Sequence, residues 1–157
     1  MAHADNAKIV VLGTGGTIAG AAQRAGDNIG YSAAQVGVAT LLQAVAGLAP
    51  VLDGCDLVSE QVAQIDSKDM SFSVWQQLAA RCAHWLADPT VQGIVMTHGT
   101  DTLEETAWFL QSVLQPDKPV VLTCAMRPAT ALAPDGPQNI LDAVAVVGDV
   151  NEAFFAF

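Results

Sequence analysis

Short β-rich apolar runs alternate along this chain with longer stretches of helical period, and that alternation limits the folds open to it more than any other feature. The runs "KIVVL" (Lys8 to Leu12), "DLVSEQVAQI" (Asp56 to Ile65), "GIVMT" (Gly93 to Thr97) and "PVVLTC" (Pro119 to Cys124) read as strands. Helical periodicity marks Val38 to Leu48, with a stop near Gly47 and Pro50, and Leu103 to Leu114. A third helix runs from Ser71 to Asp88, with Ser71 as N-cap and Val74, Leu78, Cys82 and Trp85 or Leu86 on one face. Pro137 to Gly148 is a fourth, with proline in its first turn. Such β-α repetition predicts an α/β fold, a doubly wound, mostly parallel sheet with helices on both faces. Ligands of such a sheet gather at the carboxyl ends of its strands. The final "NEAFFAF" reads as the start of a further strand.

A chain of 157 residues with 52% hydrophobic and 14% charged residues can bury one domain's core. Its formal net charge of −10 repels polyanions, which argues against nucleic acid and anionic membrane surfaces as partners. No apolar run approaches the roughly 20 residues needed to span a bilayer. The opening "MAHADNAKIVVLGTGG" lacks the pattern of a secretory leader, so the expected compartment is the cytoplasm, although a form trimmed of its leader reads the same way. Cys55, Cys82 and Cys124 are widely spaced and form no C-x-x-C pair, which predicts reduced, buried thiols and no metal knuckle. His3, His84 and His98 stand apart from one another, so neither a metal pair nor a histidine-based triad is assembled from them.

Polar residues collect at the strand exits. "GTGGT" follows the first strand, "DSKDM" (Asp66 to Met70) the second and "THGTDT" (Thr97 to Thr102) the third, and a doubly wound sheet brings these exits to one edge. A single pocket lined by Thr14, Thr17, Ser67, Asp69, Thr100 and Asp101 is therefore predicted. The glycine-rich stretch is no dinucleotide fingerprint, because Ile18 stands where the third glycine belongs, and neither a G-K-[ST] phosphate loop nor a G-x-S-x-G elbow occurs. No cofactor is expected. Thr17 then has two readings: a nucleophile, which needs a base and oxyanion donors around it, or a turn cap behind a bend. Tyr31, the single tyrosine, lies downstream in a Gly, Ala and Asn-rich segment suited to a lid.

Together "VLGTGGTIAG", "IDSKDM", "THGTDTLEETAWFL" and "AMRPATALAPDGPQNILDAV" resemble the bacterial L-asparaginase and glutaminase-asparaginase family from about Lys8 to Val147. The resemblance implies that residues 1–157 are an N-terminal α/β domain, incomplete at its C-terminal end, of a two-domain enzyme whose smaller C-terminal domain is absent. It implies a homotetramer of intimate dimers acting on a small molecule, L-asparagine or L-glutamine. Thr17 becomes the acylated nucleophile with Tyr31 beside it, and Thr100 and Asp101 form the second catalytic pair. Ser67 would hold the substrate α-carboxylate and Asp101 its α-ammonium, with Asp66, Gly16 and Gly99 as further substrate-binding positions.

The same likeness exposes departures. Relatives carry a lysine paired with the second threonine, and no lysine here matches it; Lys68 stands where several relatives place a Gln or Glu that contacts the substrate amine. Lys68 is therefore expected to point elsewhere, and turnover by this chain to be impaired. The rival to L-asparagine hydrolysis is a noncatalytic amino-acid-binding or scaffold domain of the same fold; an ammonia-supplying amidotransferase is a weaker third. Asp101 also suits a helix cap at Thr102, Asp69 a turn, Met126, Arg127 and Pro128 a brace for the pocket, and Trp75, Trp85 and Trp108 core packing.

Overall fold

The computed structural model describes residues 6–149 and 155–156. The chain begins in β1 (Lys8–Gly15), turns through Thr17–Ala19 and forms a small antiparallel pair, β2 (Ala21–Ala22) with β3 (Tyr31–Ser32). Next come α1 (Val38–Gln43), α2 (Leu48–Leu52), β4 (Asp56–Ile65), a turn at Ser67–Asp69 and α3 (Phe72–Leu86). The remainder is β5 (Val91–Thr97), a turn at Thr100–Thr102, α4 (Leu103–Leu114), β6 (Val120–Thr123), α5 (Gly136–Asp149) and β7 (Phe155–Ala156).

The main sheet has the order β4-β1-β5-β6-β7, with every neighbouring pair parallel. Side chains of a strand alternate between faces, and β1 shows this directly. Ile9 and Val11 pack with Val38 and Leu41 of α1 and Ile140, Val144 and Val147 of α5, whereas Val10 and Leu12 pack with Leu78 and Cys82 of α3 and Leu103 and Leu110 of α4. The doubly wound α/β reading holds. After β4 the chain crosses β1 to add β5 on its other side, so the strand order reverses between β1 and β5. In sheets of this kind the crevice outside such a switch point is where ligands bind.

The predicted helix from Val38 to Leu48 ends early, and a second helix begins where it was expected to stop. α1 closes after Gln43, Gly47 takes a left-handed conformation at φ 82°, and α2 restarts at Leu48. Pro50 falls in the first turn of α2, where an absent N–H removes no helical bond. The segment read as a lid is pinned by Ala21 opposite Ser32 and Ala22 opposite Tyr31. Ser71 caps α3 by accepting from the Val74 N–H at 3.4 Å.

Trp108 is 76% exposed, against the core position expected for it. The buried stripe of α4 is Leu103, Thr106, Ala107 and Leu110, and one further residue turns the helix by about 100° out of the core. Trp75 stacks on Phe109 at 5.2 Å, and the Trp85 indole N–H donates to Glu60. Cys55 and Cys82 are buried free thiols and Cys124 is half-buried; burial pushes the Cys82 thiol up to about 12 and makes it inert. Of the closing "NEAFFAF", Phe155–Ala156 pairs with β6 and the rest lies outside the described residues.

Candidate functional site

The ends of β1, β4 and β5 meet at the switch point. Gly16, φ 77° and ψ −172°, adopts a backbone conformation open in practice only to glycine. A Cβ there would lie 2.5 Å from both Cα and N of Gly99, and a Cβ on Gly99 would lie 2.4 Å from Ser67 Oγ. Two glycine backbones thus form the seam between the loop after β1 and the loop after β5, with Ser67 wedged against it. Ser67 is 3% exposed; its Oγ accepts the Asp101 N–H at 3.1 Å, and its carbonyl accepts the Thr102 hydroxyl at 2.9 Å.

Above this seam opens a cavity of about 320 Å³ lined by Thr17, Ile29, Tyr31, Ala33, Asp66, Ser67, Thr100 and Asp101. Thr17 Oγ1 and the Tyr31 hydroxyl share a hydrogen bond of 2.9 Å. Asp66 is held below the usual carboxylate range, chiefly by the Lys68 ammonium bonded to it. Lys68 also lies 3.5 Å from Asp69, so its charge is occupied by two carboxylates and it is absent from the lining. The wall combines two acidic side chains, several hydroxyls and a phenol, a set able to orient a small zwitterion and offer it a nucleophile.

The structure brings Thr17, Tyr31, Ser67, Asp66, Thr100 and Asp101 together; Gly16 and Gly99 form the seam without lining the cavity. It corrects two members of the predicted pocket. Thr14 is 1% exposed and spends its hydroxyl on the Thr97 carbonyl at 2.9 Å, bracing β1 against β5. Asp69 lies outside the lining, two-thirds exposed and beside Lys68. Met126, Arg127 and Pro128 do not reach the cavity either: Met126 is exposed, and the Met126 and Arg127 N–H groups donate to the Asp135 carboxylate at 2.9 Å each. No side chain caps α4, so Asp101 is not the helix cap that its position allowed. Ile29 and Ala33 were not foreseen; alternate residues of an extended segment share a face, so Tyr31 was the signal that pointed to both. Among the described residues there is no group of three or more His, Cys, Asp or Glu able to hold a metal ion, and no helix is long and apolar enough to cross a membrane.

His98 lies directly behind the Thr100 turn with no exposed surface, and burial pushes its imidazole below the ordinary 6.5, outweighing the opposing pull of the Gly99 carbonyl and Glu105. The unfolded imidazole therefore binds a proton at a pH where the folded one does not, so stability falls as pH drops below about 6.5 toward the folded value. Asp66 and Glu60, whose folded values are lowered, add their own losses only at more acidic pH. Urea midpoints measured at pH 7.5, 6 and 5 are expected to hold nearly level above about pH 6.5 and to decline from there to pH 5, and His98→Asn to flatten that decline while keeping the losses of the carboxylates at more acidic pH. An unchanged decline between about pH 6.5 and 5 in the variant would assign it to another group.

Comparison with known proteins gives this constellation its class. The family described as Asparaginase, N-terminal, matches residues 8–156, so the chain belongs to the asparaginase family. It is 44% identical over 144 residues to L-asparaginase 2 of Bacillus subtilis and 45% identical over 142 residues to glutaminase-asparaginase of Pseudomonas fluorescens, covering 92% and 90% of this chain and 38% of each relative. The crystal structure of a probable cytoplasmic L-asparaginase from Campylobacter jejuni superposes with a TM-score of 0.87 at 41% identity, over 96% of this chain and 46% of that one. The chain thus spans less than half the length of these relatives.

Proposed function

We propose that the chain carries the nucleophile half of an L-asparagine amidohydrolase site, converting L-asparagine and water to L-aspartate and ammonia. The observation that carries this reading is the 2.9 Å contact of Thr17 Oγ1 with the Tyr31 hydroxyl at a cavity shared with Ser67, Thr100 and Asp101. In this scheme Thr17 Oγ1 attacks the side-chain amide carbon, and as the Tyr31 hydroxyl takes the threonine proton it gives its own to the amide nitrogen. The C–N bond breaks, the protonated nitrogen leaves as ammonia, and an aspartyl ester remains on Thr17. Water, oriented by Thr100, then splits the ester and restores the hydroxyl. Ser67 donates to the α-carboxylate, while Asp101 and Asp66 attract the α-ammonium. The names of the Bacillus and Pseudomonas relatives support this substrate class, and the second of them adds L-glutamine as an alternative amide.

The same reading makes residues 1–157 part of a two-domain, homo-oligomeric enzyme, a tetramer of intimate dimers, in keeping with the 38% of each relative that is matched. The cytoplasm is the compartment we assign; the Campylobacter neighbour is titled cytoplasmic, and a Haemophilus influenzae relative is named periplasmic. The test is calorimetric titration of the chain with L-aspartate, run beside ammonia release from L-asparagine and L-glutamine. Saturable L-aspartate binding that weakens in Asp101→Asn supports the site. Binding without ammonia release would make the chain an amino-acid-binding domain, and absence of both would remove the proposed site.

A further inference from the structure

Behind the Thr100–Asp101 turn runs a buried chain of hydrogen bonds that the proposed chemistry leaves unused. The Trp75 indole Nε1 of α3 donates to Thr106 Oγ1 of α4 at 2.9 Å. Thr106 Oγ1 lies 2.9 Å from His98 Nε2, and His98 Nδ1 lies 2.7 Å from the Gly99 carbonyl. His98 and Thr106 have no exposed surface, so water does not share these bonds.

The ends of the chain fix its direction. An indole N–H can only donate and a carbonyl can only accept. Thr106 therefore accepts from Trp75 and gives its own hydroxyl hydrogen to His98 Nε2, and His98 carries its proton on Nδ1 and gives it to Gly99. The opposite tautomer sets a nitrogen lone pair against the carbonyl oxygen. An imidazolium sets its second N–H against the hydroxyl and leaves the hydroxyl hydrogen without an acceptor. Only one neutral tautomer satisfies every atom, and a buried polar atom left unmatched is costly.

The Gly99 carbonyl has little freedom to lose. Its residue abuts Ser67 and Gly16 so closely that neither glycine has room for a Cβ, and two residues on, the Asp101 N–H reaches Ser67 Oγ. We propose that His98 is a positioning residue, whose Nδ1-protonated imidazole, locked by Thr106 and Trp75, fixes the Gly99 carbonyl and so holds Thr100 and Asp101 against Ser67. Because Trp75 stacks on Phe109, the packing of α3 on α4 enters the same chain. The value of this position to substrate rests on the amide-site reading above; the tautomer and the turn geometry do not.

The experiment compares the full chain with Thr106→Ser, which keeps the hydroxyl, and Thr106→Val, which removes it. Imidazole nitrogen shifts at pH 7 report the tautomer, backbone amide shifts of Gly99, Thr100 and Asp101 report the turn, and titration with L-aspartate reports the site. The wild type is expected to show a single Nδ1-protonated neutral ring for His98. Thr106→Ser should follow it, while Thr106→Val should keep the Nδ1 proton on the Gly99 carbonyl but leave the ring unheld at Nε2, move the three amides and weaken L-aspartate binding about tenfold, the loss of one well-formed hydrogen bond. Trp75→Phe keeps an aromatic ring for the stack on Phe109 and removes the indole N–H together with part of the indole's bulk, and should shift the same amides in a chain whose α4 is untouched. An Nε2-protonated ring or an imidazolium in the wild type overturns the proposal, as do unmoved amides in Thr106→Val, or in Trp75→Phe should the valine variant not fold. A wild type that fails to bind L-aspartate overturns the amide-site reading instead, and the nitrogen and amide shifts still decide the relay.

Discussion

Thr17→Ala is expected to lower ammonia release from L-asparagine by at least about 10³-fold while leaving L-aspartate binding nearly intact, since deleting a nucleophile removes the covalent route but not the groups that hold the ligand. Thr17 is half-buried, and its hydroxyl bonds only Tyr31 among the described residues, so truncation leaves no other buried partner stranded. Thr17→Ser retains an oxygen at the same place and should keep measurable turnover. Tyr31→Phe removes the neighbouring phenol and is expected to cost about 10²- to 10⁴-fold, the usual worth of a positioned acid or base. Equal turnover by Thr17→Ala and the parent chain would end the nucleophile assignment, and a Tyr31→Phe chain at full rate would send the proton elsewhere.

Gly16→Ala should be a severely damaging single-methyl change at the seam. The left-handed, extended backbone of Gly16 strains any larger residue by about 1–3 kcal/mol. The new Cβ would also meet the Gly99 backbone at 2.5 Å, an overpacking that costs about 1–3 kcal/mol more because backbone cannot swing aside as a side chain can. The total, about 2–6 kcal/mol, is a large share of a small domain's stability. Gly54→Ala separates the two causes: Gly54 has φ 88°, yet its added Cβ meets nothing within 4 Å, so it bears conformational strain alone. Urea unfolding of both variants is the measurement. A Gly16→Ala midpoint no lower than that of Gly54→Ala would mean that the two loops do not touch as described.

The elements that could be read in the sequence are those specified by local pattern. The alternation of Asp56–Ile65 and the apolar stripe of Leu103–Leu114 each define one element from end to end. The early end of the helix at Gln43 was hidden because apolar spacing continues across Ala44 to Gly47, while the left-handed Gly47 opens a separate α2 and the two helices pack separately against α5. In the site, the strand exits gave Thr17, Ser67, Thr100 and Asp101, because topology alone brings those loops to one edge. Thr14 and Asp69 were misplaced because proximity in sequence says nothing of side-chain direction: one turns into the sheet and the other outward to Lys68. Thr106 had a faint signal, a lone hydroxyl in the buried stripe of α4, and such a group must find a partner; that partner was His98.

The seam between β1 and β5 also governs when the site comes into being. Thr14 and Thr97, which brace it, are 83 residues apart, and β4 and α3 lie in the intervening chain. Contacts of such sequence separation form late and slowly, since the ends of a long loop must be brought together first. A nascent or unfolded chain therefore holds Thr17 far from Asp101, as an ordinary hydroxyl with no partner to direct it. On the proposed amide chemistry, reactivity is a property acquired only when the sheet closes, and a ligand that bridges the two loops would act as a clasp on the folded state.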